Sequence, residues 1–170
     1  MARPPFDLLV TATVIAGACA GAAIDLWTRR VPNPLTLLLA TSGVGFAVLG
    51  VGGLTIGASL LGLAVGLALM LPGHLFGATG AGDVKLFAAL GALIGPAHIA
   101  TAFVYTAIAG GAIALAIAVR RRRLQQTIDN AAQLIVSSAG TAVIESPLEN
   151  NRFAYAPAIA LGTMLAALGF

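Results

Sequence analysis

Carboxylates are scarce in this chain, and two of them stand where chemistry could be done. The acidic residues are Asp7, Asp25, Asp83, Asp129, Glu145 and Glu149. Asp25 closes a long apolar run; Asp83 follows Gly80-Ala81-Gly82 and opens another. Two carboxylates that meet can share one proton, one acting as base on a water and the other as acid toward a carbonyl. That pairing can hydrolyse an amide without a metal or a nucleophilic side chain. Glycines at 80 and 82 let the backbone bend and let a second chain lie close to Asp83. Plainer readings are available for both residues. Asp83 would suit a helix N-terminus as a stabilising anion, and Asp25 would suit a loop as a partner of Arg29 or Arg30. Acidic residues among apolar helices also serve proton or cation transport.

The elements that must position these residues are apolar. Hydrophobic residues make up 59% of the 170 and charged residues 9%, against about 25% charged in an ordinary soluble domain. So little charge cannot cover a water-facing surface. The expected fold is all-α: one polytopic membrane domain of about six transmembrane helices over residues 1–170. A spanning helix needs about 20 mostly apolar residues. Phe6 to Ile24 supplies the first. Pro34 to Gly73 is long enough for two, with Gly50-Val51-Gly52-Gly53 as the turn between them. Val84 to Val119 is divided by Gly95-Pro96 into a short fourth helix and a longer fifth. Phe153 to Phe170 supplies the last. The first run resembles a signal peptide, but only Arg3 precedes it and five spans follow, so a retained helix is expected.

Lysine and arginine favour the cytoplasmic side. With the N-terminus outside, Arg29, Arg30, Lys85, Arg120 to Arg123 and Arg152 all fall in the cytoplasm. Asp25 and Asp83 then share that membrane face. Small residues four apart at Gly17/Gly21, Gly53/Gly57, Gly62/Gly66 and Gly91/Gly95 allow close helix approach. The polar stretch 124–150 fits an amphipathic helix on the membrane surface. Cys19 is the single cysteine, which excludes an internal disulfide and a multi-cysteine zinc site. Lys85 lies two residues past Asp83, about 200° round a helix, and reads as an interfacial anchor. His74 reads as a solvated loop residue. Asn33, between two prolines, is expected in an extended loop beside Asp25, and Pro157 is expected to kink the last helix.

Gly80-Ala81-Gly82-Asp83-Val84-Lys85-Leu86 resembles the GxGD signature of the prepilin peptidases, membrane aspartyl proteases that trim type IV pilin precursors. Asp25 with Arg29-Arg30-Val31-Pro32-Asn33 is similar to that family's first catalytic segment, and Tyr155-Ala156-Pro157-Ala158-Ile159-Ala160 to the start of its last helix. The resemblance implies that Asp25 and Asp83 are catalytic, that Gly80, Gly82, Pro32 and Asn33 shape the site, and that no metal or cofactor is needed. It implies a prepilin or pseudopilin substrate, the lipid bilayer as surroundings, a place in the cytoplasmic (inner) membrane, and no nucleic-acid partner. Larger family members carry an added cytoplasmic segment, often with two CxxC pairs, and also methylate the new N-terminus. The short loop from Trp27 to Asn33 and the absence of CxxC make this chain similar to the peptidase-only form found with Flp or Tad-type pili. A related GxGD protease acting on an archaellin precursor is the alternative within the enzyme class.

Overall fold

A computed structural model describes residues 6–120 and 155–169. Every regular element among the described residues is a helix, and none is a strand. Helix α1 (Leu8–Thr28) is followed by α2 (Asn33–Val48), a short 3-10 turn (Val51–Gly53), α3 (Ile56–Leu75), α4 (Ala81–Arg120) and α5 (Ala156–Leu168). The expected division at Gly95-Pro96 is present: Gly95 has φ 76° and ψ 176°, so α4 is two helices joined through a sharp bend. Three of the described helices are long and apolar enough to cross a membrane: Leu8–Thr28, Ile56–Leu75 and Ala81–Ala116. Helices α2 and α5 are apolar but have only 16 and 13 residues. At 1.5 Å per residue they rise roughly 24 and 20 Å, short of the ~30 Å hydrocarbon core. The chain is thus a multi-pass membrane protein. The stretch 124–150 and residues Arg121 to Arg123, Asp129, Glu145, Glu149 and Arg152 lie outside the described residues.

By contacts the chain forms two units, one of Met1–Gly110 with Arg152–Phe170 and one of Gly111–Asn151. The first unit contains both aspartates. Within it α1 packs along α5, although the two helices lie at opposite ends of the sequence. Close approaches at glycine hold the other helices. Gly43 of α2 sits against the Ala92 backbone, and Gly66 of α3 against Ala88 and the Phe87 carbonyl. Gly62 and Gly91 face each other between α3 and α4, while Gly17 meets Leu39 and Gly21 meets Leu86. Ser59 Oγ donates to the Ala92 carbonyl at 2.8 Å, which satisfies a buried hydroxyl inside this interface.

The pairing of Gly53 with Gly57 is not found as a packing contact. Gly53 belongs to the α2–α3 turn, and a side chain at either glycine would meet open space. Gly50, Gly52 and Gly53 all have positive φ there, a conformation that glycine adopts without steric cost. The Asp7 carboxylate accepts the Gly52 N–H at 2.8 Å, tying the start of α1 to this turn. Pro157 does not kink a helix. It lies in the first turn of α5, where an N–H has no intrahelical acceptor to lose and a fixed φ favours the helix.

Candidate active site

Asp25 lies in the last turn of α1, which runs four residues beyond the expected Ile24. The helix stops because Arg29 adopts a left-handed conformation, φ 55°, and its N–H returns to the Asp25 carbonyl at 2.8 Å. Pro32, extended at φ −71° and ψ 138°, then caps α2. Asn33 is therefore the first residue of α2 and not part of an extended loop. The Thr36 N–H reaches the Pro32 carbonyl at 3.4 Å and the Thr36 hydroxyl reaches the Asn33 carbonyl at 3.0 Å, which winds this segment into the helix.

Asp83 occupies the first turn of α4. Its Oδ2 accepts the Gly80 N–H at 3.1 Å, as an acid in the third helical position does when it reaches back to the amide just before the helix. Its Oδ1 is buried with no hydrogen-bond partner among the described residues. A buried carboxylate oxygen left unsatisfied costs on the order of 1–3 kcal/mol or more, so this one is expected to meet water or a ligand. His74, in the last turn of α3, braces the preceding loop: its Nδ1–H donates to the Thr79 carbonyl at 3.1 Å. It is exposed, but it is attached to the loop and not merely solvated.

The two aspartates lie in the same unit and within electrostatic reach of each other. Each is almost completely buried, Asp25 at 5% and Asp83 at 6% relative exposure. Asp25 is close enough to Asp83 for its charge to act there, and the Arg29 guanidinium acts likewise on Asp25. Asp25 Oδ2 also accepts the Ala156 N–H, at 3.4 Å, from the first residue of α5. Tyr155, one residue earlier, lies within electrostatic reach of Asp83. The start of α5 therefore donates to Asp25 and brings Tyr155 within electrostatic reach of Asp83. The similarity of this segment to a family's last helix was a signal for its presence, but the sequence carried no sign of the contact itself.

The motif glycines have separate jobs. A Cβ on Gly82 would lie 3.1 Å from Val31 Cβ, 3.2 Å from its nitrogen and 3.3 Å from its oxygen. Gly82 thus seats the turn that follows Asp25 directly on the start of α4, and Val31 is buried there. A Cβ on Gly80 would come within 3.1 Å of Asp83 Oδ2. The room at these positions is used for joining the two acidic segments and for setting the Asp83 carboxylate. Lys85 closes the same junction from another side: its Nζ donates to Asn33 Oδ1 at 3.0 Å. This pairing gives both residues a role in holding α2 to α4.

Chemically, the arrangement offers two nearly buried carboxylates, backbone donors to one oxygen of each, and an unsatisfied oxygen on Asp83. Among the described residues no group of three or more His, Cys, Asp or Glu could hold a metal ion. The family model described as the type IV leader peptidase family matches residues 12–115, which include both aspartates and the segments around them. No curated protein and no solved structure matches the chain.

Proposed function

The chain belongs to the type IV leader peptidase family, and from that premise we propose that it is an aspartic endopeptidase removing leader peptides from Flp or Tad-like type IV prepilins at the cytoplasmic face of the inner membrane. The observation that carries this reading is that two nearly buried aspartates from separate helices lie within electrostatic reach of each other, with Asp83 Oδ1 buried and without a hydrogen-bond partner among the described residues. In the proposed reaction a water sits between the carboxylates. The ionised member takes a proton from the water as its oxygen attacks the scissile carbonyl carbon. The protonated member gives its proton to the carbonyl oxygen, so a neutral gem-diol forms. Collapse of the diol breaks the C–N bond, with a proton delivered to the leaving nitrogen and another returned to the pair.

Burial supports this division. Like charges within electrostatic reach in a poorly solvated site disfavour double ionisation, so a singly protonated pair is the working state of the proposed reaction. The Gly82–Val31 junction would hold the pair in register, and the α5 backbone would orient Asp25. Purified protein in lipid vesicles, given the cognate prepilin, should convert it to a shorter product whose new N-terminus is a free, unmethylated amine. A prepilin left at full length under conditions that preserve the fold would overturn the assignment. A methyl group added in dependence on this chain would refute the peptidase-only part.

A further inference from the structure

On the face of α4 opposite Asp83 there is a groove of about 530 Å³ that the proposed reaction does not use. Its floor is Ala88 and Ala89, both buried, and its walls are Leu37 and Ala40 of α2 with Leu63 and Leu67 of α3. The trough exists because α4 presents alanines where its neighbours present leucines. Asn33 and Lys85 line one end, where the Lys85 ammonium is held at 3.0 Å by Asn33 Oδ1. One turn past Ala40, α2 closes onto α4, where a Cβ on Gly43 would lie 2.7 Å from the Ala92 carbonyl carbon. The groove thus has a cationic end and an apolar length.

We propose that this groove is a binding site for one anionic phospholipid, its phosphate against Lys85 and part of an acyl chain along Leu37, Ala40, Leu63 and Leu67. Charge complementarity selects the occupant. An apolar trough alone would accept any chain, but a fixed ammonium at its end favours a ligand with an anionic group joined to a hydrocarbon tail. A lysine ammonium has three donors and no acceptor, and Asn33 takes one of them, so the others can meet phosphate oxygens. The distance fits: Asn33 to Ala40 spans roughly 10 Å of helix rise, the upper part of a leaflet whose full bilayer core is ~30 Å. The substrate's apolar segment is the less suitable occupant. Lys85 projects about 200° from Asp83 around α4, whereas Asp83 faces Asp25 and the start of α5.

The test uses the full chain in nanodiscs with equal phosphatidylglycerol and phosphatidylcholine, followed by native mass spectrometry after release into mild detergent. Wild-type protein should retain one phosphatidylglycerol with about fivefold preference, the effect of one basic residue at an anionic surface. Lys85→Gln can still donate to Asn33 but carries no charge, and should bring the preference close to unity. Ala40→Phe, which fills the trough, should lose both lipids. A photo-crosslinking residue at Leu37, which is 66% exposed, keeps the test independent of how Ala40→Phe folds: it should capture phosphatidylglycerol. Equal preference in wild type and Lys85→Gln would overturn the proposal. Capture of an added prepilin at position 37, with loss of the lipid adduct, would overturn it in favour of a substrate groove.

Discussion

Replacing Gly82 with alanine adds a single methyl group, and the structure says where it goes. The new carbon would meet three Val31 atoms at 3.1, 3.2 and 3.3 Å. Two of them are backbone, so no side-chain rotation relieves the contact. Val31 cannot retreat freely, since Arg29 is held in a left-handed turn on one side and Pro32 caps α2 on the other. Forcing a methyl group into such a contact costs about 1–3 kcal/mol. Part of that would appear as lost stability and part as displacement of the Asp25 segment from Asp83. A misplacement near 1 Å in reacting groups costs on the order of 100-fold in rate. Gly82→Ala is therefore expected to lower prepilin cleavage by roughly 10- to 100-fold while inserting normally, and Gly82→Val to abolish it. Adding Val31→Gly to Gly82→Ala removes the 3.1 Å Cβ contact but neither backbone contact, so rescue should be partial. The assay is a time course of processing in membrane vesicles, with thermal unfolding of the solubilised protein alongside. Wild-type cleavage and unchanged unfolding for Gly82→Ala would refute the junction.

Other outcomes follow from the same geometry. Gly62→Leu should prevent assembly, because Gly62 lies on the Gly91 backbone, whereas Gly57→Leu should be tolerated in open space; size-exclusion profiles after detergent extraction distinguish the two. In a Cys19→Ser background, a cysteine at Val51 should react with an impermeant thiol reagent in intact cells, and cysteines in 124–150 should be shielded; the reverse pattern would overturn the proposed orientation. Cleavage should depend on pH as a bell, since one carboxyl must hold a proton and its partner must not; a rate that rises to a plateau without falling would contradict the shared-proton scheme.

The two aspartates were legible because a membrane chain carries few charges, and those it keeps stand out against apolar runs. The glycines before Asp83 were legible as a need for space, but not as a need for this particular neighbour. Val31 meets Gly82 across 51 positions, and no local period encodes such a contact. The same applies to Lys85 and Asn33: helical geometry says that Lys85 points away from Asp83, but not what it points toward. The Ala156 N–H reaches Asp25 across most of the chain length. The kink expected at Pro157 is absent because α5 starts there without a Ser, Thr, Asp or Asn cap, so the proline itself is the start signal. Helix lengths were the least legible feature. Arg29 ends α1 by a left-handed turn that an arginine does not advertise, and α2 begins between two prolines.

The most direct test of the account is the replacement of each aspartate by its amide. Asp25→Asn and Asp83→Asn keep size and shape and remove the ionisable group. Each should retain the acceptor for its backbone N–H, from Ala156 and from Gly80, so folding and insertion should persist. Loss of general acid or base function removes about 100- to 10,000-fold in rate, and the double variant should be little worse than either single one, because the pair acts as a unit. Asp7→Asn provides the control, since its amide oxygen can still accept the Gly52 N–H. Asp7→Asn should process prepilin at the wild-type rate, and neither Asp25→Asn nor Asp83→Asn should process it detectably. Correctly inserted Asp25→Asn or Asp83→Asn protein that processes prepilin at the wild-type rate would contradict the assignment of the pair.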